Sequence, residues 1–299
     1  MGLLVVILNY RTAGLTLDCL ASLAQVLDEV PGTRALVVDN GSGDDSAARL
    51  ADAIESHQWG GWCELLALPE NVGFAAGNNR GLDRLKTTYR EAQWVLLLNS
   101  DTIVHPGALR LSHEAMQANP KIGLMSCRLR SPDGSTQNVA RRFPSPLRQI
   151  LCVFGLPWIF PRVFGWADVY DVPAAQLEIK RDCDWIIGAY MFIRRSALDQ
   201  VGGMDESFFF YGEDIEFCHR FHRHGWRVHY DPGASIVHLG GSSSDPTRLA
   251  RKTKDSYILK ARYHVQRQCY GRAAAWAVRA GDIAAFGLRK LKPSRRRKP

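Results

Sequence analysis

Residues 94–102 read WVLLLNSDT. The five apolar residues from Trp94 to Leu98 lack the polar alternation of a half-exposed strand. The run therefore predicts a strand buried on both faces, as in a parallel sheet. It ends on Asn99, Ser100 and Asp101. All three are turn formers, so a turn explains them. A parallel sheet also presents ligands at the carboxyl edge of its strands, and an acid there suits a metal ion or the counter-ion of a phosphate.

The segments on either side repeat the theme. LLVVILNY, ALVVDN and the shorter CELLALPE predict strands, and IGLMSCRL a further one. Between them Leu20, Leu23, Ala24 and Leu27, then Ala47, Leu50, Ala51 and Ile54, take helical spacing. NVGFAAGNN is a Gly- and Asn-rich loop opening a helix from about Asn79, and another helix follows Pro106. Strand alternating with helix predicts an α/β, Rossmann-like, mostly parallel sheet flanked by helices. After Arg141 the pattern changes. RRFPSPLRQILCVFGLPWIFPRVFGW is aromatic, Pro-broken and basic; it reads as an acceptor-facing insertion, a membrane-touching surface or a packed irregular connection. A strand is predicted over Trp185–Ile193, a helix over YGEDIEFCHRFHRHGW, and two short strands around Pro232–Gly233.

The 299 residues are enough for one large domain, and their seven scattered cysteines form no C-x-x-C pair. That spacing argues against a zinc site or a disulfide framework and fits a reducing compartment. LLVVIL follows Met1 without a basic n-region, so no signal peptide is expected, and no stretch reaches the ~20 apolar residues of a membrane span. From Arg248 onward sixteen Lys and Arg face only Asp255 and Asp282, a net of +14, which leaves −6 of the total +8 on residues 1–247. A mildly acidic body thus carries a basic, partly helical tail, of the kind that seeks anionic lipid or nucleic acid or is merely solvated. Tyr257, Ile258, Tyr263, Trp276, Phe286, Leu288 and Leu291 are interleaved among its charges, which favours an anionic membrane interface. No recognised nucleic-acid module accompanies them, so nucleic acid is not the expected partner.

Several strand ends should gather on one edge of the sheet: Asn9–Tyr10–Arg11, Asp39–Asn40 and Asn99–Ser100–Asp101, with Asn71 to Asn79 nearby. One polar strand end is a turn; several converging ones make a pocket. Asp39 is either a turn acid before Asn-Gly or the acceptor for the imide N–H of a uracil or thymine ring. Neither G-x-G-x-x-G nor a P-loop occurs, which weakens dinucleotide-oxidoreductase and P-loop readings. In the helix from Glu213, Asp214 shares the apolar spacing of Phe217, Cys218 and Phe221, whereas Glu213 points about 100° away. Both acids favour a helix amino terminus; an inward Asp214 would also be desolvated toward general-base pKa values. His238, before Leu239 and two glycines, is either structural or a ligand.

Taken in order, ILNYRT, VVDNGSGDDS, ENVGFAAGNNRGL, LLLNSDT, DWIIGAYMFIRRSAL, FFFYGEDIEFCHRFHRHGW and VHLGGSS resemble the family 2 glycosyltransferases, nearest the bacterial rhamnosyltransferase-like enzymes of cell-wall and surface-polysaccharide assembly. The resemblance runs from about Leu3 to Ser243. It implies a GT-A fold over residues 1–246, with a nucleotide-sugar-binding half (1–131), an acceptor and catalytic half (132–246) and a membrane-associating tail (247–299). It also implies inverting transfer from a nucleoside diphosphate sugar, dTDP-rhamnose by subgroup, to a lipid-linked saccharide or polysaccharide, at the cytoplasmic face of the cell membrane. By position, Asp39 would read the base, and Asn9, Tyr10, Arg11, Asn71, Gly73, Asn78 and Ser100 would line the donor site. Asp101, last residue of NSD at the family's D-x-D position, and His238 would hold Mg²⁺ or Mn²⁺; Asn99 replaces the motif's first acid. Asp214 would be the catalytic base, with Trp185, Gly188, Ala189 and Glu213 on the acceptor side. A non-catalytic nucleotide-sugar or glycan binder of the same fold is the rival, though it need not keep Asp214, Asp101 and His238 together.

Overall fold

The computed structural model describes residues 2–169, 172–240 and 251–291, of which 251–254 and 289–291 as backbone alone. The chain opens as strand and helix in alternation: β1 (Gly2–Asn9), α1 (Ala13–Ala24), β2 (Arg34–Asp39), α2 (Ser46–Ser56), β3 (Cys63–Ala67), α3 (Phe74–Leu82) and β4 (Ala92–Asn99). β5 (Thr102–Val104), α4 (Ala108–Ala118), β6 (Ile122–Arg130) and β7 (Ala140–Arg141) follow. Three short helices occupy the aromatic stretch, α5 (Pro146–Val153), α6 (Leu156–Ile159) and α7 (Pro161–Phe164). Then come β8 (Arg181–Asp182), β9 (Trp185–Ile186), β10 (Tyr190–Arg194), α8 (Arg195–Val201), α9 (Glu213–Arg223) and β11 (Arg227–His238). Two helices close the described chain, α10 (Arg251–Tyr270) and α11 (Arg272–Leu291).

The main sheet runs β3-β2-β1-β4-β10-β6-β11-β5, with β8 on β11. β3, β2, β1 and β4 are parallel to one another, as are β6 and β11, while β10 is antiparallel to both its neighbours. The all-parallel half explains the unbroken apolar runs: Leu3 to Ile7, Ala35 to Val38 and Trp94 to Leu98 are buried. Helices cover both faces. On one, Thr16 of α1 donates to Asn9 Oδ1 at 2.8 Å. On the other, α3 lies so close to β1 that a Cβ on Gly77 would sit 2.6 Å from Leu8 Cδ1, and one on Gly81 2.4 Å from Val6 Cγ1.

Three expectations are corrected. The strand over Trp185–Ile193 is two strands, β9 and β10, because the chain leaves the small β7–β9 pairing for the main sheet at Ile187–Ala189. The two strands around Pro232–Gly233 are one, β11, whose pairing with β6 shifts between Asp231 and Ser235 where the proline and glycine bulge out. Helix α3 begins at Phe74, five residues early, since Gly73 (φ 91°) already makes the turn into it. The boundary expected at residues 246–247 lies outside the described residues, as do Leu291's side chain and the last eight residues.

Candidate active site

Parallel register brings the polar strand ends together: Asn9 lies opposite Asp39, and Leu8 opposite Asn99. Asp39 Oδ1 accepts from Asn9 Nδ2 at 2.6 Å and from Ser42 Oγ at 2.5 Å, while Asn9 Oδ1 accepts from Thr12 and Thr16. Arg11, in the left-handed region at φ 57°, donates Nε–H to the Ser42 carbonyl at 2.7 Å. This network pins the β1 and β2 ends beneath a cavity of about 310 Å³. Tyr10, Asn71, Gly73 and Ser100 line that cavity, four of the eight residues expected on the donor side. Asn9 and Asp39 are buried under it, and Asn78 turns inward to donate to the Phe74 carbonyl at 2.9 Å, so it does not line the cavity. Base reading through Asp39 has only Oδ2 to draw on, which takes a long 3.3 Å bond from Ser42 N–H. Asn40 and Asn99, foreseen at the gathered strand ends, line it too, together with Tyr257 of the tail and with Phe209 and Phe210, which were not singled out. Asn40 was legible as the Asn of an Asn-Gly turn: its amide clamps the loop through Asn71 Oδ1 and the Gly73 carbonyl, both at 3.1 Å.

At the end of β4, Asp101 Oδ1 lies 3.4 Å from His238 Nε2. The backbone ties the two ends together as well, Leu239 N–H donating to the Asp101 carbonyl at 2.9 Å. Gln137 fixes the imidazole from behind, accepting at Oε1 from Nδ1 (2.8 Å) and donating Nε2–H to the His238 carbonyl (2.7 Å). A carboxamide oxygen only accepts, so Nδ1 donates, and Nε2 is the ring nitrogen turned toward Asp101 and Asn99. An oriented imidazole beside a buried carboxylate is a donor set for a divalent ion. No cluster of three His, Cys, Asp or Glu exists among the described residues.

A second cavity, of about 390 Å³, opens between β9, the start of α9, the residues around α5 and one face of α10. Asp214, Trp185, Arg141, Arg142 and Arg262 line it. Here the helical-face expectation is reversed. Asp214 faces the cavity rather than the core, and Glu213 is the more buried acid, 7% exposed. The outer side of the α9 start is covered by α10: a Cβ on Gly212 would meet Val265 Cγ2 at 2.8 Å. Burial pushes the Asp214 carboxyl up to about 6, against the lowering pull of the Ile215 N–H, the Arg141 guanidinium and the Gly188 N–H. Burial first, then the Asp214 charge, pushes Glu213 up to about 8. Of the residues expected on the acceptor side, Trp185 lines the cavity and donates its indole N–H to the Arg142 carbonyl at 2.9 Å. Gly188 meets Asp214 through its backbone N–H, and Ala189 is buried, its carbonyl accepting from Asn99 N–H at 3.0 Å. A larger hollow of about 550 Å³, lined by Ala51, Ile54, Gly60 and Leu65, holds none of these side chains.

The family described as "Glycosyltransferase like family 2" matches residues 2–258. The chain belongs to glycosyltransferase family 2. This glycosyltransferase is 31% identical over 239 residues, 77% of its own length and 75% of the other's, to the N-acetylglucosaminyl-diphospho-decaprenol L-rhamnosyltransferase of Mycobacterium tuberculosis. It is 28% identical over 169 residues, 56% of its length and 60% of the relative's, to rhamnosyltransferase WbbL of Escherichia coli. Among solved structures it resembles the Pyrobaculum calidifontis mannosyltransferase PcManGT, crystallised with GDP-Man and Mn²⁺ (TM-score 0.59, 17% identity, 98% of this chain and 76% of that one). It also resembles GalNAc-T7 with UDP, GalNAc and Mn²⁺ (TM-score 0.62, 12% identity, 95% and 55%). These likenesses show the GT-A fold. The rhamnosyltransferase-like glycosyltransferase thus has the sheet, flanking helices and carboxyl-terminal helices expected from its sequence.

Proposed function

We propose that this glycosyltransferase moves a sugar, L-rhamnose from dTDP-rhamnose, with inversion onto a hydroxyl of a lipid-linked saccharide. One observation carries the reading: a carboxylate whose pKa is raised to about 6 faces a cavity beside the polar strand-end cavity. The two share a partition, Phe209 and Phe210 lining one side and Tyr211 and Gly212 the other. The curated relatives named as rhamnosyltransferases support the sugar, and the diphospho-decaprenol in the mycobacterial name supports the acceptor class.

Tyr10, Asn71, Gly73 and Ser100 hold the donor, with Phe209, which packs against Gly73, and Tyr257, whose ring stacks 6.1 Å from that of Phe209, completing the lining. Asp101 and the Nε2 of His238 fit a divalent ion, the arrangement that Gln137 preorganises. Such an ion supplies Lewis-acid stabilisation to a departing diphosphate. Asp214 takes the proton of the acceptor hydroxyl while that oxygen forms its bond to the anomeric carbon, and the carbon–oxygen bond to the nucleoside diphosphate breaks on the opposite face. One base and one displacement invert the centre. The basic tail would hold the enzyme on an anionic membrane surface, at the cytoplasmic face; no helix among the described residues is long and apolar enough to cross a membrane. The deciding experiment is transfer by purified protein across a panel of nucleotide sugars, to a diphosphate-linked N-acetylglucosamine acceptor. Rhamnosyl transfer with inverted anomeric configuration is expected. Transfer from another donor alone would overturn the sugar, and a silent panel the enzymatic reading.

A further inference from the structure

The Asp214 cavity contains two buried amides with unspent hydrogen-bonding atoms. Gln149, on α5, and Gln266, on α10, both line it and both are buried. Gln149 Nε2 and Gln266 Oε1 have no partner among the described residues. The Gln266 side chain is oriented all the same, since its Nε2 donates to the Pro144 carbonyl at 2.5 Å and leaves the oxygen over. Folded chains seldom bury such atoms unless something outside the chain satisfies them. Here one donor and one acceptor are left on two residues that line a single cavity.

The wall that carries Gln266 is one helical face. Ile258, Ala261, Arg262, Val265 and Gln266 recur along α10 at the spacing of a single stripe and all line the cavity. Four of the five lie beyond residue 258, where the family match ends. Trp185, 7% exposed, adds the edge of an aromatic ring whose N–H is already spent on Arg142 and whose face lies 5.4 Å from the Arg141 guanidinium. Aromatic surface with a paired donor and acceptor is complementary to a pyranose, which has apolar C–H faces and hydroxyl or amide groups at its rim.

We infer that Gln149 and Gln266 form a saccharide subsite, the Gln149 amide donating to and the Gln266 carbonyl accepting from the rim of the sugar whose hydroxyl faces Asp214. The inference rests on the acceptor-side reading of this cavity. Two ordered waters would satisfy the same atoms, and the test separates the two occupants. Calorimetric titration uses two probes, N-acetylglucosaminyl diphosphate carrying a short alkyl chain and the same alkyl diphosphate without the sugar. The full chain, Gln149→Leu and Gln266→Leu are compared. The sugar-bearing probe should bind about tenfold more weakly to each variant, and the sugar-free probe equally to all three. Gln149→Leu should melt no lower than the parent, because it removes an unpaired amide N–H; it carries the test alone if Gln266→Leu, which loses the Pro144 contact, fails to fold. Unchanged affinity for the sugar probe, equal loss for both probes, or no sugar-dependent binding by the parent chain would each overturn the subsite. Donor hydrolysis without acceptor reports separately on the glycosyltransferase reading: its persistence alongside a failed titration removes the subsite alone.

Discussion

Asp214 and Glu213 are neighbours in sequence, both desolvated, and pushed up to different degrees. For Asp214→Asn we expect transfer to fall by about 10²–10⁴, the usual worth of general-base assistance, while donor affinity stays near the parent value. Single-turnover rates beside donor titration separate the two; wild-type kcat in the variant would pass the role to Glu213. A base must be ionised, so kcat/KM should rise with pH through about 6 and level off above it. A flat profile from pH 5 to 8 would falsify the assignment of Asp214. Glu213 has the opposite bearing on stability. Its folded pKa lies above the ordinary 4.5, so the folded chain holds this proton more tightly than the unfolded chain does. Its contribution is full below pH 4.5 and is lost as pH rises through about 8. Glu213→Gln should therefore be more stable than the parent above pH 8, by about 1–3 kcal/mol, in denaturant titrations across pH. For the proposed metal ligands Asp101 and His238, chelator should abolish transfer and Mn²⁺ restore it, with Asp101→Ala needing far more metal; full activity in excess chelator removes the ion from the reaction.

At the scale of elements, the sequence was most readable where one residue type repeats along a short run. The buried strands β1, β2 and β4 follow from unbroken apolar stretches, and their parallel register made the gathering of Asn9, Asp39 and Asn99 foreseeable. Two-residue strands carry no such period. β9 and β10 merged into one because the apolar run continues through Ile187, and only Gly188 hints at the change of sheet. The orientation of Asp214 was misread for a different reason. Helical periodicity ranks faces by polarity, but what covers the outer face of α9 is α10, some forty residues later in the chain and outside any local window. Gly81 on α3 makes close packing testable. Its missing Cβ leaves the room that Val6 occupies, so Gly81→Ala should cost about 1–3 kcal/mol through overpacking, read by urea denaturation; an unchanged midpoint would show that α3 can move away from β1.

For the molecule as a whole, the tail divides into parts with different tasks. Tyr257 lies in the strand-end cavity and Tyr263 donates to Asp282 at 2.9 Å, so two aromatics expected at a membrane interface are used internally. Trp276, Ile283, Phe286 and Leu288 on α11 are exposed, and Arg279 lies over the Trp276 ring. We expect the full chain to pellet with anionic but not neutral vesicles, less so at high salt. A chain ending at Pro246 should stay in solution; equal partitioning of the two would remove the tail from membrane binding. Adjacent residues of α10 also reach different cavities, Tyr257 the one over the strand ends and Ile258 the one at Asp214. A helix that walls both sites makes them thermodynamically linked. Whatever factor the nucleotide sugar applies to acceptor affinity, the acceptor must return to the nucleotide sugar. Titrating each substrate in the presence of the other, with Asp214→Asn to prevent turnover, should therefore give two matching factors different from one, and replacing Tyr257 by alanine should bring both toward one together.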